Sequence, residues 1–150
     1  MDKKEVGIRM ITSELKIRVS YADTDQMGVV YYARYFEYFE RGRTELLREL
    51  GVPYSEMEKK GINLPVIEAY CEYKKGIKYD EIIIIKTYII ESPRSQIRMN
   101  YEILNETKDK VLAKGWTRHP FVNQYGKPVK PAKNFVELIT TYLNKGKVIF

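Results

Sequence analysis

The stretch from Glu14 to Gly51 reads ELKIRVSYADTDQMGVVYYARYFEYFERGRTELLRELG, and its apolar period changes part-way along. The first residues alternate: Leu15, Ile17, Val19 and Tyr21 fall on one side, and Glu14, Lys16, Arg18 and Ser20 on the other. A period of two predicts a strand with one face buried. From about Tyr31 to Leu50 the period lengthens. Tyr35, Phe39, Gly42, Leu46 and Leu50 recur three or four apart, and Phe36 and Leu47 broaden the stripe. Glu37, Arg41, Glu45, Arg48 and Glu49 take the opposite face. This predicts a long amphipathic helix that stops at Gly51. A mid-helix glycine costs about 1 kcal/mol relative to alanine. Gly42 lies on the apolar stripe, which predicts that the helix backbone rests close against something flat.

Beyond this stretch the chain reads mostly as strand. Turn signals at Val52-Pro53 and Lys59-Lys60-Gly61 lead into a β-rich segment from Leu64 to Tyr73. Ile82 to Ile90 is too apolar for an edge and reads as a central strand. Ile97, Met99, Tyr101 and Ile103 alternate with Arg98, Asn100 and Glu102. Asn105 to Lys110 reads as a polar hairpin connection, and Val111 to Val122 as the returning strand. Pro131 can start a last helix with Phe135, Leu138, Ile139 and Tyr142 on its inner face. The order β–α–β–β–β–β–α is α+β, with an antiparallel sheet wrapped around the long helix. The isoleucine run needs cover on both faces, and a homo-oligomer would supply it.

Composition narrows the function. A chain of 150 residues is expected to form a single domain spanning 1–150, with 44% hydrophobic and 31% charged residues supporting a globular core. No apolar run approaches a membrane span, so no membrane insertion is expected. Met1-Asp2-Lys3-Lys4-Glu5 leads into charged sequence, which makes export unexpected and a reducing cytoplasm the expected setting. Cys71 is the single cysteine and His119 the single histidine, so neither an internal disulfide nor a zinc site is expected. A Cys-His pair would require Cys71 and His119 to meet. A lone strand histidine is more often packed or hydrogen-bonded than catalytic. Twenty-six basic against 20 acidic residues give 26 − 20 = +6. That excess fits an anionic partner, a phosphate-bearing small molecule included. The basic residues are scattered, and nothing resembles a recognition helix, so no nucleic-acid partner is expected.

The segment Tyr21-Ala-Asp-Thr-Asp-Gln-Met-Gly-Val-Val-Tyr-Tyr-Ala-Arg-Tyr35 carries the candidate chemistry. Asp23 and Asp25 sit between a strand end and a helix start, and Gly28 permits a tight turn. The helix then offers free N–H groups at about Tyr31 to Ala33. A carboxylate facing such amides can attack a carbonyl or activate water while the amides hold the oxyanion. The same spacing also fits a plain capping network. No clustered partners are present for a metal.

This segment closely resembles the hotdog-fold acyl-CoA thioesterases of the 4-hydroxybenzoyl-CoA and Tol–Pal-associated short-chain types. Their pattern is met by Tyr21, Asp23, Thr24, Asp25, Gly28, Val29, Val30, Tyr31, Tyr32 and Tyr35, followed by Glu40, Arg43, Thr44 and Glu45 on the helix. Element order agrees from about Glu14 to Val122. The resemblance implies a hotdog fold, a homo-oligomer (dimer or tetramer) with the ligand between chains, an acyl-CoA substrate and no cofactor. It implies that Asp25 is the catalytic carboxylate and that the Tyr32 backbone N–H polarises the thioester carbonyl. Many bacterial relatives have histidine at the Tyr32 position, and this chain does not, so a histidine-assisted route is absent. Asp23 is then a cap or loop organiser. Gly28 and Tyr31 fall within the substrate loop. Arg94, in Glu91-Ser92-Pro93-Arg94-Ser95, stands where the family places a basic pair against nucleotide phosphate, and Lys127 and Lys130 align with a second basic cluster. Competing readings are a non-catalytic acyl-CoA-binding protein and an acyl-carrier-protein thioesterase or dehydratase. The dehydratase reading lacks a histidine near Asp25.

Overall fold

The computed structural model describes residues 9–150; the Met1–Glu5 segment with its Lys3-Lys4 pair lies outside the described residues. The chain runs β1 (Met10–Arg18), a 3-10 turn (Tyr21–Asp23), α1 (Arg34–Glu49), α2 (Tyr54–Lys59), β2 (Glu68–Tyr73), β3 (Ile82–Ile89), β4 (Gln96–Asn105), β5 (Val111–Pro120), α3 (Lys133–Asn144) and β6 (Lys147–Ile149). The strands form one six-stranded sheet in the order β2-β5-β4-β3-β1-β6. All pairs are antiparallel except β1 with the short β6, which is parallel. The fold is the hotdog arrangement: a sheet with the long helix α1 packed against it.

Helix α1 packs as its period requires. Tyr35, Tyr38, Phe39, Gly42, Leu46 and Leu47 are buried against the sheet. Phe39 and Leu46 are fully buried, and Phe39 stacks on Tyr101 of β4 at 4.3 Å between ring centroids. Gly42 is the point of closest approach. A Cβ there would stand 2.3 Å from Thr87 Oγ1 and 2.8 Å from Ile85 Cγ2, both on β3. The flat surface implied by Gly42 is therefore the middle of the sheet. The helix ends in a Schellman motif: Gly51 takes φ +83°, its N–H donates to Arg48 O, and Val52 N–H donates to Leu47 O.

Strand β3 is interior, as its isoleucines require, paired with β1 on one side and β4 on the other. Ile83, Ile85 and Ile89 face α1 and are fully buried, while Ile90 beyond the strand end is exposed. At one sheet edge, β2 pairs only with β5 among the described residues, and Val66, Ile67, Tyr70 and Tyr73 along it are exposed.

The structure departs from the periodic reading in several places. Tyr21 is exposed, because the 3-10 turn rotates it off the β1 face and onto the Tyr79 ring. Phe36 lies at the open side of the helix rather than in the core. Helix α1 starts at Arg34 rather than Tyr31, because Tyr31 and Tyr32 form a preceding turn closed by Arg34 N–H to Tyr31 O. Helix α2 and strand β6 were both unforeseen; six and three residues are too few to display a period.

Candidate active site

Strand β1 ends beside the start of β3, and the chain between β1 and α1 folds back on itself there. Thr24 bridges Val30, Asp25 N–H donates to Val29 O, and Gly28, at φ +79°, donates its N–H to Asp25 O. Val29 bridges Lys78 and Val30 N–H donates to Ile77 O, which ties the loop to the segment before β3. Asp25, Gly28, Tyr31 and Tyr32 are thus gathered in one tight loop at the N-terminal end of α1.

The two aspartates do different work. Asp23 Oδ2 accepts the Tyr38 hydroxyl at 2.9 Å, its Oδ1 lies 3.9 Å from Arg34 Nε, and its carbonyl accepts Tyr31 N–H at 2.9 Å. It organises the loop against the first turns of α1. Asp25 Oδ1 accepts Met27 N–H at 2.8 Å, and the carboxylate is half-buried, with no ion pair among the described residues. Neither caps α1. Its N-cap is Ala33, with no side-chain capping bond. The capping alternative raised by the spacing is therefore not the one the fold adopts.

The amides at the helix start are only partly spoken for. Tyr31 N–H is taken by Asp23 O, whereas Tyr32 and Ala33 N–H meet no acceptor among the described residues. The expected donor range of Tyr31 to Ala33 narrows to Tyr32 and Ala33. Tyr73 on β2 donates its hydroxyl to Tyr32 O at 3.2 Å, which fixes the plane of the Tyr32–Ala33 peptide and so the direction of Ala33 N–H. Burial pushes the Tyr73 phenol up to about 12, so it stays a donor at neutral pH. Nothing in the local pattern marks Tyr73, because its partner lies 41 residues away. The Tyr31 and Tyr32 rings are exposed at the mouth of the site.

The basic residues fall elsewhere. Arg94 lies in the β3–β4 turn, at the other end of the sheet from Asp25. The intervening eight residues of β3 span about 27 Å at 3.4 Å per residue. Arg94 is exposed on an open groove of about 600 Å³ that Arg98 and Arg118 also line. Arg98 and Arg118 are paired across β4 and β5 and stand over the Trp116 ring, at 4.6 and 5.4 Å from its centroid. Arg98 Nε also donates to Asn100 Oδ1 at 3.1 Å, and Arg118 lies 3.2 Å from Glu68. Lys127 and Lys130 are exposed in the segment after β5 and line neither this groove nor the Asp25 loop.

His119 is buried away from the loop. Its Nδ1 lies 3.1 Å from Leu64 O and its Nε2 2.7 Å from Thr117 Oγ1. Both nitrogens are engaged, so no Cys71–His119 pair forms. Burial, and then the nearby Arg43 cation, push the imidazole down to about 4. Above pH ~6.5 this histidine is neutral in both folded and unfolded chains. As pH falls below that, the unfolded chain takes up a proton the native chain refuses, so stability is lost down to about pH 4. The loss is on the order of 3 kcal/mol at 1.36 kcal/mol per pKa unit. Urea unfolding at pH 7 and pH 5 should show it, and His119→Gln should flatten the difference. Equal slopes in parent and variant would mean that His119 titrates freely.

Among the described residues no group of three metal-ligating side chains occurs, and no helix is long and apolar enough to cross a membrane. The family model of the thioesterase-like superfamily matches residues 19–137. The chain belongs to that superfamily. Within it, YneP of Bacillus subtilis is 37% identical over 134 residues, covering 89% of this chain and 96% of YneP. The acyl-CoA thioesterase YbgC of Haemophilus influenzae is 34% identical over 92 residues, covering 61% of this chain and 68% of YbgC. Among solved structures, the DHNA-CoA thioesterase of Staphylococcus aureus superposes with a TM-score of 0.84 at 31% identity, over 92% of this chain and 99% of that one. In this thioesterase-like protein, the matched span holds the Asp25 loop, α1 and the sheet apart from β1 and β6.

Proposed function

We propose that the protein hydrolyses an acyl-CoA thioester to free acid and CoA. One observation carries this reading: the unclaimed Tyr32 and Ala33 N–H groups stand at the end of the loop that holds the Asp25 carboxylate. A thioester carbonyl bound to Tyr32 N–H gains stabilisation as negative charge develops on its oxygen. Loss of one such donor costs about 3 to 4 kcal/mol in barrier height in other enzymes. Asp25 acts either as nucleophile, giving an anhydride that water then opens, or as the base that takes a proton from water. Gly28 sets the loop and Tyr31 walls its mouth. The names of YbgC and of the staphylococcal structure support the substrate class. A thiol-release assay over a panel of acyl-CoA and acyl-carrier-protein esters tests the reading. Release from CoA esters supports it, and binding without release makes the protein a non-catalytic acyl-CoA binder.

The working form is a homo-oligomer, a dimer or tetramer, in the cytoplasm. Two features support a shared site: the unpaired, partly apolar β2 edge, and the sheet-length gap between Arg94 and Asp25 of one chain. Arg94 then serves the CoA phosphates of a ligand whose acyl end lies on another chain. Lys127 and Lys130 are assigned the same phosphate role at the surface. Arg94→Ala should raise KM for acyl-CoA severalfold with little change in kcat, the pattern of lost uniform binding, and added salt should mimic it. Equal affinities of the variant and the parent for a full CoA ester would remove Arg94 from the site.

A further inference from the structure

Helix α1 lines two cavities beyond the Asp25 loop. They adjoin along it and share Glu40, Arg43 and Val66. One begins at Phe36, a turn beyond Tyr32, and the other, about 270 Å³, ends at Leu47, Met99 and His119. The walls are mostly apolar until Glu40 and Arg43.

Arg43 is the anomaly. It is half-buried, and it makes no ion pair among the described residues. The groups on its inner side, Tyr101 and His119, carry no negative charge. The Arg43 cation lies close enough to the Tyr101 hydroxyl and the His119 ring to act on both electrostatically. Those groups belong to a chain of hydrogen bonds whose direction is fixed at one end. Leu64 O only accepts, so Nδ1 of the neutral His119 donates to it at 3.1 Å. Nε2 must then accept from Thr117 at 2.7 Å, and Thr117 accepts from the Tyr101 hydroxyl at 2.6 Å. Lone pairs of Tyr101 are left for the Arg43 side. The chain steadies the guanidinium without neutralising it, and at least some of its five donors remain for the cavity.

We infer that Glu40 and Arg43 form a subsite for a hydroxyl group at the far end of an otherwise apolar acyl chain. This rests on the thioesterase reading and adds its specificity. A hydroxyl can donate to Glu40 and accept from Arg43 at once, whereas a carboxylate would be set against Glu40. Length decides which acyl groups reach. At 1.5 Å per residue, Glu40 lies about 12 Å and Arg43 about 16 Å along the helix from Tyr32, less the backward lean of the side chains. Short acyl groups end before this point.

The test compares kcat/KM for decanoyl-CoA and ω-hydroxydecanoyl-CoA, with the binding ratio of the two esters measured by calorimetry. The parent should prefer the hydroxylated ester by about tenfold or more, the size of discrimination that a net hydrogen bond to a charged group supplies. Arg43→Gln and Glu40→Gln should each collapse that ratio, and Arg43→Lys should restore part of it. Melting curves show that each variant is folded, and Glu40→Gln, at an exposed position, keeps the test alive if Arg43→Gln is not. Hydrolysis of both esters without preference overturns the subsite and leaves the thioesterase reading standing. A preference that survives both substitutions also overturns it. If no ester is hydrolysed, the thioesterase reading fails, and the calorimetric ratio still decides the subsite.

Discussion

Asp25→Asn should lower kcat by about 100-fold or more, the lower end of what general acid–base catalysis contributes. The substitution keeps the side-chain oxygen that accepts Met27 N–H at 2.8 Å, so the loop and the melting temperature should hold. What is lost is the negative charge, and with it both nucleophilicity and basicity. KM should change less than kcat. Asp23→Asn is the matching control in the same loop. Its oxygen can still accept the Tyr38 hydroxyl, but a charged acceptor becomes a neutral one and the contact with Arg34 is lost. The difference between charged and neutral hydrogen bonds puts the cost at about 1 kcal/mol of stability, with turnover largely kept. Thiol-release kinetics and thermal melts on both variants separate the roles. Near-normal turnover in folded Asp25→Asn, with Asp23→Asn inactive, would exchange the assignments; activity in both would make the motif structural.

Gly42→Ala should destabilise the protein by about 2 kcal/mol, within the range for overpacking a closed core. Helix propensity alone gives the opposite sign, a gain of about 1 kcal/mol. Packing wins because the new methyl would meet Thr87 Oγ1 at 2.3 Å and Ile85 Cγ2 at 2.8 Å, and both belong to a strand held on two sides. Relief requires α1 to lift from the sheet, which also loosens the stack of Phe39 on Tyr101. Denaturant titration reads the effect directly. An unchanged or raised midpoint would show that the helix floats above β3.

The same glycine shows how far the fold was legible. A costly residue on an apolar stripe had to be there for close approach, and periods of two and of three to four marked β1, α1 and the later strands. Short elements escaped: α2 and β6 complete too little of a period to be seen. The candidate loop was legible because it is local: Asp25, Gly28 and Tyr32 lie within eight residues of one another. It was illegible where it depends on distant chain. The Tyr73–Tyr32 bond joins residues 41 apart and the His119–Leu64 bond residues 55 apart. Periodicity carries no trace of either. Arg98 looked like an ordinary polar position because its outward alternation is also that of any solvated strand face, and its pairing with Arg118 joins two strands.

Helix α1 begins without a side chain to close it, and this sets where the backbone exchanges with water. In the free protein, the Tyr32 and Ala33 amides should exchange their hydrogens quickly, although they sit beside one of the best-packed helices of the fold. A bound carbonyl supplies the missing acceptor, so a non-hydrolysable acyl-CoA ketone should slow exchange at these two positions while leaving the middle of α1 unchanged. The ligand then completes the helix, and occupancy of the site is written into the protection of two amides.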